Sequence, residues 1–285
     1  MPDTDSRLSH AGKQLSGVAC PYSRTFCRLM LSELSHHLRS FRAAMQFMTC
    51  IPAGSVDDIS PAARNDMLIW YPAVGAIIGV ILILGEWLSS PLNDFMQAAL
   101  LLTIWVVVTG GLHLDGLADC ADAWVGGLGD REKTLNIMDD PRSGTIAVIA
   151  VTLTLIMKFA ALASFQNWVM LLLIPILARL MIIPAFLWLP YAREFGLAGE
   201  IQQALSQQKR SLCKVIIAVI VVLPLVLISI ELWLLLLVVL VTTFLLWRFA
   251  MIKRLQGFTG DCIGLLIELS EVVLAVAFVA YVWTT

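Results

Sequence analysis

Residues 214–249 read KVIIAVIVVLPLVLISIELWLLLLVVLVTTFLLWRF. Between Lys214 and Arg248, near its ends, the run holds a single charged residue, Glu231, close to the middle. As one helix at 1.5 Å per residue it would extend about 54 Å, far beyond the ~30 Å of hydrocarbon in a bilayer. Two spans, 214–230 and 233–249, joined by a tight turn near Ser229–Glu231, fit that thickness. The chain is therefore read as an integral membrane protein, and the rest of the sequence agrees. Of its 285 residues 59% are hydrophobic and 14% charged, against about 45–50% and 25% in soluble domains.

Further apolar runs at 67–89, 95–112, 144–164, 168–190 and 265–284 complete an all-α, polytopic helical bundle of about seven transmembrane helices. A shorter stretch, 43–52, ends at Pro52 and is too short to cross, so an interfacial or re-entrant segment is expected there. Residues 1–38 read as a poorly ordered, basic N-terminal extension, and residues 39–285 as the membrane-embedded catalytic domain. The first 40 residues show no apolar run of signal-peptide type, so no cleavable leader is expected. Six cysteines, without C-x-x-C pairs or zinc spacing, read as isolated reduced thiols.

The net charge of −2 says little, and no basic stripe with aromatics points to nucleic acid. The placement of charge says more. Lys and Arg gather in the N-terminal segment, in loop 113–143 (Arg131, Lys133, Arg142), in loop 191–213 (Arg193, Lys209, Arg210) and in segment 248–264 (Arg248, Lys253, Arg254). The alternate connections at 90–94, 166–167 and 229–231 carry none. The positive-inside bias then predicts a multi-pass protein of the cell (inner) membrane, with the N-terminus and all the basic loops cytoplasmic. Lys158 and Arg179 fall inside spans, where a charge costs about 2.5–3.5 kcal/mol on insertion scales and so needs a partner or a ligand.

Three motifs carry chemistry. In GGLHLDGLADCADAW (110–124), Asp115, Asp119 and Asp122 recur at four and three residues, which stacks them on one helical face. Neighbouring like charges repel, unless a hard cation such as Mg²⁺ sits among them and shares its oxygen ligands with a phosphate. His113 lies two residues before the first. In MDDPRSGT (138–145), Asp139, Asp140 and Arg142 precede a glycine at the start of a span, an arrangement suited to holding phosphate at a helix N-terminus. In GFTGDCIGLLIELSE (257–271), Asp261, Gly264, Glu268 and Glu271 again follow a helical spacing into a span. With Arg193, Lys158 and Arg179, these residues suggest a metal-assisted phosphoryl-transfer site on the cytoplasmic side. An ion-coupled or corrinoid transporter using the same acids stays open at this level.

These motifs, together with FMTCIP (47–52), YPAVGAIIG (71–79) and PYAREFGL (190–197), resemble the cobalamin synthase family, the adenosylcobinamide-GDP ribazoletransferases. The resemblance covers roughly residues 40–284, and residues 1–38 precede the family's usual start. It implies a Mg²⁺-dependent enzyme that joins adenosylcobinamide-GDP to α-ribazole or its 5′-phosphate and releases GMP. By their helical spacing and shared cytoplasmic side, Asp115, Asp119, Asp122 and Asp261 are expected to bind the metal and, with His113, to take part in catalysis. Asp139, Asp140, Arg142, Lys158, Arg179, Arg193, Glu268 and Glu271 are expected to hold substrate or phosphate. The lipid bilayer is a further partner, and self-association or association with other cobalamin-assembly enzymes is left open. The aspartate cluster also has a likeness to the D-G-x-x-A-R motif of CDP-alcohol phosphotransferases. Here Asp119 stands where that motif has arginine, so the likeness is analogy alone.

Overall fold

The computed structural model describes residues 21–54, 60–164 and 167–284, with the backbone course alone for 21–29. Thirteen α-helices account for most of the described residues: α1 (Pro21–Met48), α2 (Pro61–Asn65), α3 (Tyr71–Ser89), α4 (Asp94–Thr109), α5 (Leu112–Gly126), α6 (Arg131–Met138), α7 (Thr145–Ser164), α8 (Trp168–Leu180), α9 (Ile182–Trp188), α10 (Leu197–Gln203), α11 (Gln207–Val222), α12 (Ile230–Leu255) and α13 (Gly260–Thr284). A 3₁₀ turn, Met67–Trp70, leads into α3.

Helix α8, continued by α9, sits at the centre and is surrounded by protein along nearly its whole length, whereas α7 and α12 keep most of their apolar surface outward. That surface is what lipid covers in a multi-pass membrane protein. Close packing, rather than hydrophobicity, must then hold helix to helix. Gly75 and Gly79 bring α3 against the backbone of α8. Pro175 lies within α8, and its missing N–H leaves the Leu171 carbonyl without the usual helical donor. Gly79 lies closely over that same carbonyl.

The expected bundle is present, with three differences in its parts. Among the described residues, five segments are long and apolar enough to cross a membrane: Met67–Ser89, Thr145–Ser164, Trp168–Trp188, Ile230–Leu255 and Gly260–Thr284. The run read as 95–112 does not continue as one straight span. It stops at Thr109, and Gly110 and Gly111, at φ +64° and +69°, turn the chain by 86° into α5. Two consecutive left-handed residues favour glycine, so the GG of the motif marks the corner. The run 214–230 yields the 16-residue α11, which begins at Gln207 and gives way to a 3₁₀ turn, Leu223–Val226, at Pro224. The turn expected near Ser229–Glu231 is there, with the Ser229 hydroxyl accepting from Leu232 N at the start of α12.

The short stretch 43–52 is not a separate segment. Its residues 43–48 complete α1, and Ala43, Ala44, Met45 and Met48 are buried in the core. Residues 21–38 of the expected extension form the earlier part of α1, while residues 1–20 lie outside the described residues. The helix is pinned by Asp66, which accepts from His36 Nε2 at 2.7 Å and pairs with Lys209 of α11. Burial pushes the Asp66 carboxyl up, but the hydrogen bonds and charges of Lys209 and His36 outweigh it and hold the group below its ordinary range.

Helices α5 and α13 cross where Gly116 of one meets Asp261 and Gly264 of the other. A Cβ on Gly116 would lie 2.8 Å from the Asp261 carbonyl oxygen, and one on Gly264 would lie 3.0 Å from the His113 carbonyl oxygen. Backbone on both sides cannot yield as a flexible side chain would. Gly116→Val is therefore expected to destabilise the protein by about 1–3 kcal/mol through overpacking. Gly260→Ala, whose added carbon meets nothing within 4 Å, is expected to leave stability near that of the parent. Thermal unfolding of both variants in detergent checks this, and equal melting of Gly116→Val and the parent would remove the crossing as a constraint.

Candidate active site

Three connecting segments meet at the end of the bundle where α7 and α13 begin and α9 and α12 finish. Tyr191 and Phe258 form a parallel bridge, with Ala192 N donating to Phe258 O at 2.9 Å and Phe258 N to Pro190 O at 3.0 Å. Arg131, at the start of α6, donates to Leu255 O and Ala192 O and so ties both strands of that bridge to the loop after α5. Arg254 donates to Thr134 Oγ1 and Trp124 O, and its guanidinium lies 5.2 Å from the Trp124 ring centre. Segment 190–193 is thereby fixed beside the N-terminus of α13. Arg193 pairs there with Asp139, and its Nη2 reaches Asp261 Oδ2 at 3.4 Å. Burial alone would ease the proton from Arg193, but its hydrogen bond to Asp139 and the charges of Asp139 and Asp261 outweigh it and keep the guanidinium charged. Thr259 Oγ1 also donates to Asp261 Oδ2, at 3.2 Å.

The crossing of α5 and α13 brings the aspartates of two motifs together. Asp115, Asp261 and Asp122 all act electrostatically on Asp119, and Asp115 and Asp261 line one cavity. Among the described residues neither Asp115 nor Asp119 forms an ion pair. Asp122 is engaged differently. Its carboxylate accepts from Gly144 N and Ala147 N, the latter at 2.9 Å, and so caps the N-terminus of α7. The helix end read from MDDPRSGT as a phosphate cradle is thus already filled by an anion, the Asp122 carboxylate. Asp140 and Arg142 form a surface fork, with Arg142 Nε to Asp140 Oδ1 at 2.9 Å and Nη2 to Oδ2 at 2.6 Å. Those bonds from Arg142 hold the Asp140 carboxyl down at about 2.

Lys158, Arg179, Glu268 and Glu271 come together, away from the aspartates. Lys158 Nζ donates to Glu268 Oε2 at 2.6 Å and also to Glu271, and Arg179 Nη1 donates to the other oxygen of Glu271. All four are buried. Lys158 also lies 5.0 Å from the centre of the Trp105 ring. The two basic residues that need a partner within the membrane have one, and the two glutamates expected to face substrate supply it. His113 lies between this cluster and the aspartates. It is buried, with Nε2 at 3.4 Å from Met48 Sδ.

The donor set at the α5–α13 crossing consists of hard carboxylate oxygens. Among the described residues no three of His, Cys, Asp and Glu converge as a ready-made metal site. A cation such as Mg²⁺ does not require one, since it commonly takes one or two carboxylates and completes its shell with water and substrate phosphate. The unpaired Asp115 and Asp119 beside Asp261 fit that use. Arg131 and Arg254, which build the site's frame, belong to none of the motifs. Their only signal in the sequence is their place in basic loops, which informs orientation alone. Cys120 and Cys262 are buried free thiols that lie near enough across the crossing to act on one another electrostatically. Nothing in their spacing of 142 positions could have paired them.

Fold and site together define a multi-pass helical membrane protein with an acid- and arginine-lined site where its helices end. A family model described as cobalamin-5-phosphate synthase matches residues 40–279. An adenosylcobinamide-GDP ribazoletransferase of Pseudomonas aeruginosa is 44% identical over 243 residues, covering 84% of this chain and 97% of the relative. One of Stutzerimonas stutzeri is 42% identical over 231 residues, covering 80% and 92%. No solved structure matches. The chain belongs to the cobalamin-5-phosphate synthase family and is a transferase.

Two stability outcomes follow from the geometry. Asp122→Ala removes the cap of α7 and is expected to cost about 0.5–2 kcal/mol, whereas Asp115→Asn relieves repulsion and should cost nothing. Thermal melting in metal-free detergent distinguishes them, and the reverse order would exclude the capping role. Glu271→Gln leaves Lys158 and Arg179 with surplus buried charge and is expected to cost about 3–5 kcal/mol. Adding Lys158→Met to that variant should recover a large part of the loss. Chemical unfolding that shows the two changes to be additive would exclude the cluster as a coupled unit.

Proposed function

We propose that this chain joins adenosylcobinamide-GDP to α-ribazole or α-ribazole 5′-phosphate. The products would be adenosylcobalamin or its 5′-phosphate, and GMP, completing the nucleotide loop of cobalamin. The observation that supports it most is the meeting of Asp115, Asp119 and Asp261 with Arg193 at one end of the bundle, in a chain whose relatives carry that activity in their names.

The bonds made and broken are few. The 3′-hydroxyl oxygen of the acceptor bonds to the phosphorus that carries cobinamide. The phosphoanhydride P–O bond breaks, and GMP leaves with its electron pair. The hydroxyl proton passes to a carboxylate, for which Asp119 is suited because it is partly exposed and free of ion pairs. Little covalent help is needed, since phosphoryl transfer depends mainly on positioning and charge neutralisation. Arg193 offers a fixed positive charge to the phosphates, and Asp139 and Asp261 orient its guanidinium. Mg²⁺, which Asp115 and Asp261 would hold, would supply further neutralisation of the phosphate oxygens when bound.

The placement of basic residues supports an inner-membrane protein whose acidic loops face the cytoplasm, where nucleotide substrates are made. Purified in detergent with Mg²⁺, the chain is expected to release GMP from adenosylcobinamide-GDP only when α-ribazole or its phosphate is present. Asp119→Asn and Asp261→Asn should each lower kcat by about 10²–10⁴-fold while keeping the parent's melting temperature. Background GMP release from the parent, in lipid that supports its fold, would reject the enzymatic reading. Turnover in detergent, where no gradient exists, would remove transport as the necessary function.

A further inference from the structure

A cavity of about 140 Å³ lies between the end of α1, the start of α3, and helices α5, α9, α10 and α13. Its walls are mainly apolar and include Phe47, Tyr71, Ile182, Phe186 and Ile201. A cavity of about 150 Å³ with Leu, Ile and Phe walls takes up benzene, so this one has the size of an aromatic ring. Asp115 and Asp261 line it too, so an apolar chamber and two carboxylates of the site share one opening. His113 lines it as well, and its Nδ1 is buried with no hydrogen-bond partner among the described residues. A thioether can only accept, so the contact with Met48 Sδ puts the imidazole proton on Nε2 and leaves Nδ1 as an acceptor. A buried acceptor facing no donor fits an occupant that brings a hydroxyl.

Resting on the reaction given above, we propose that this cavity seats the aromatic base of the acceptor nucleoside, with a ribose hydroxyl directed to His113 Nδ1. The other rings among the substrates fit poorly. Guanine and adenine would bury several N–H and ring-nitrogen groups against apolar walls, and a corrin exceeds the space several times over. A glycosylated dimethylbenzimidazole has no N–H, presents an apolar carbocyclic edge to the chamber, and carries its sugar on the side of the carboxylates.

The test uses the full chain in detergent and follows GMP release while each substrate is varied in turn. Ile201→Trp fills the chamber. It is expected to raise KM for α-ribazole at least about tenfold, the scale on which an apolar pocket reads one carbon more or less. KM for adenosylcobinamide-GDP should stay within about twofold. The parent should prefer α-ribazole over the riboside of unsubstituted benzimidazole by roughly tenfold, and Ile201→Trp should narrow that preference. Ala198→Val, a smaller filling, should shift the same constants in the same direction and guards against a tryptophan variant that does not fold. Product formation with KM for α-ribazole unmoved in the folded variants, or with both constants moved alike, would overturn the cavity assignment and leave the reaction standing. Should the parent form no product, the reaction fails. Equilibrium dialysis then judges the cavity alone: α-ribazole bound by the parent and not by the filled variants supports it, and equal binding or none overturns it.

Discussion

Everything at the site depends on how closely α5 and α13 approach. With glycine at 116 and 264, the backbone of each helix reaches the backbone of the other. That contact sets Asp115 and Asp119 of one motif beside Asp261 of the other, although they lie far apart in the chain. It also sets His113 and Asp115 of one motif and Asp261 of the other around one cavity. Small residues at the crossing are thus a requirement of the packing and of the meeting of the acids. Any side chain that separated the helices would separate the acids.

The charges inside the protein fall into two groups of different kinds. In the interior, Lys158 and Arg179 face Glu268 and Glu271, two positive against two negative, in a region where an unpaired charge would be expensive. That cluster closes on itself and joins α7, α8 and α13. At the helix ends the charges do not balance. Among the described residues, Asp139 and Asp261 pair with Arg193, which also acts on Asp119, and Asp115 and Asp119 form no ion pair. The excess is tolerable there because water and ligands reach it. It is also the property that a cation-bound, phosphate-bearing substrate would complete.

Sequence alone disclosed the helical membrane bundle, because runs of some 20 apolar residues match the thickness of a bilayer and exceed what one soluble core can bury. It also disclosed the aspartate motifs, because their spacing is helical. It did not disclose where helices bend or which acids work together. The 86° corner at Gly110–Gly111 looks, in hydropathy, like the continuation of a span. The end of α1 reads as a fragment because residues 21–42 are rich in polar and charged side chains, so hydropathy does not carry the helix back through them. Asp122 shares the spacing of Asp115 and Asp119, yet the start of α7 claims it as a cap. Glu268 and Glu271 share the helical face of Asp261, yet about two and three turns deeper they meet Lys158 and Arg179. Periodicity identifies a face, and depth along that face decides between ligand and counter-ion.

The frame around the site is silent in the sequence for a different reason. Arg131 and Arg254 bond mainly to backbone carbonyls of Leu255, Ala192 and Trp124. A carbonyl is present at every residue, so no partner identity is available to read. Yet these bonds hold segment 190–193 against 257–259 and thereby aim Arg193 at Asp261. A loop-borne arginine needs such bracing to offer a fixed charge, because preorganisation, rather than charge alone, is what stabilises a developing phosphate dianion. The placement of the conspicuous acids therefore depends on the inconspicuous arginines that keep their loops in register.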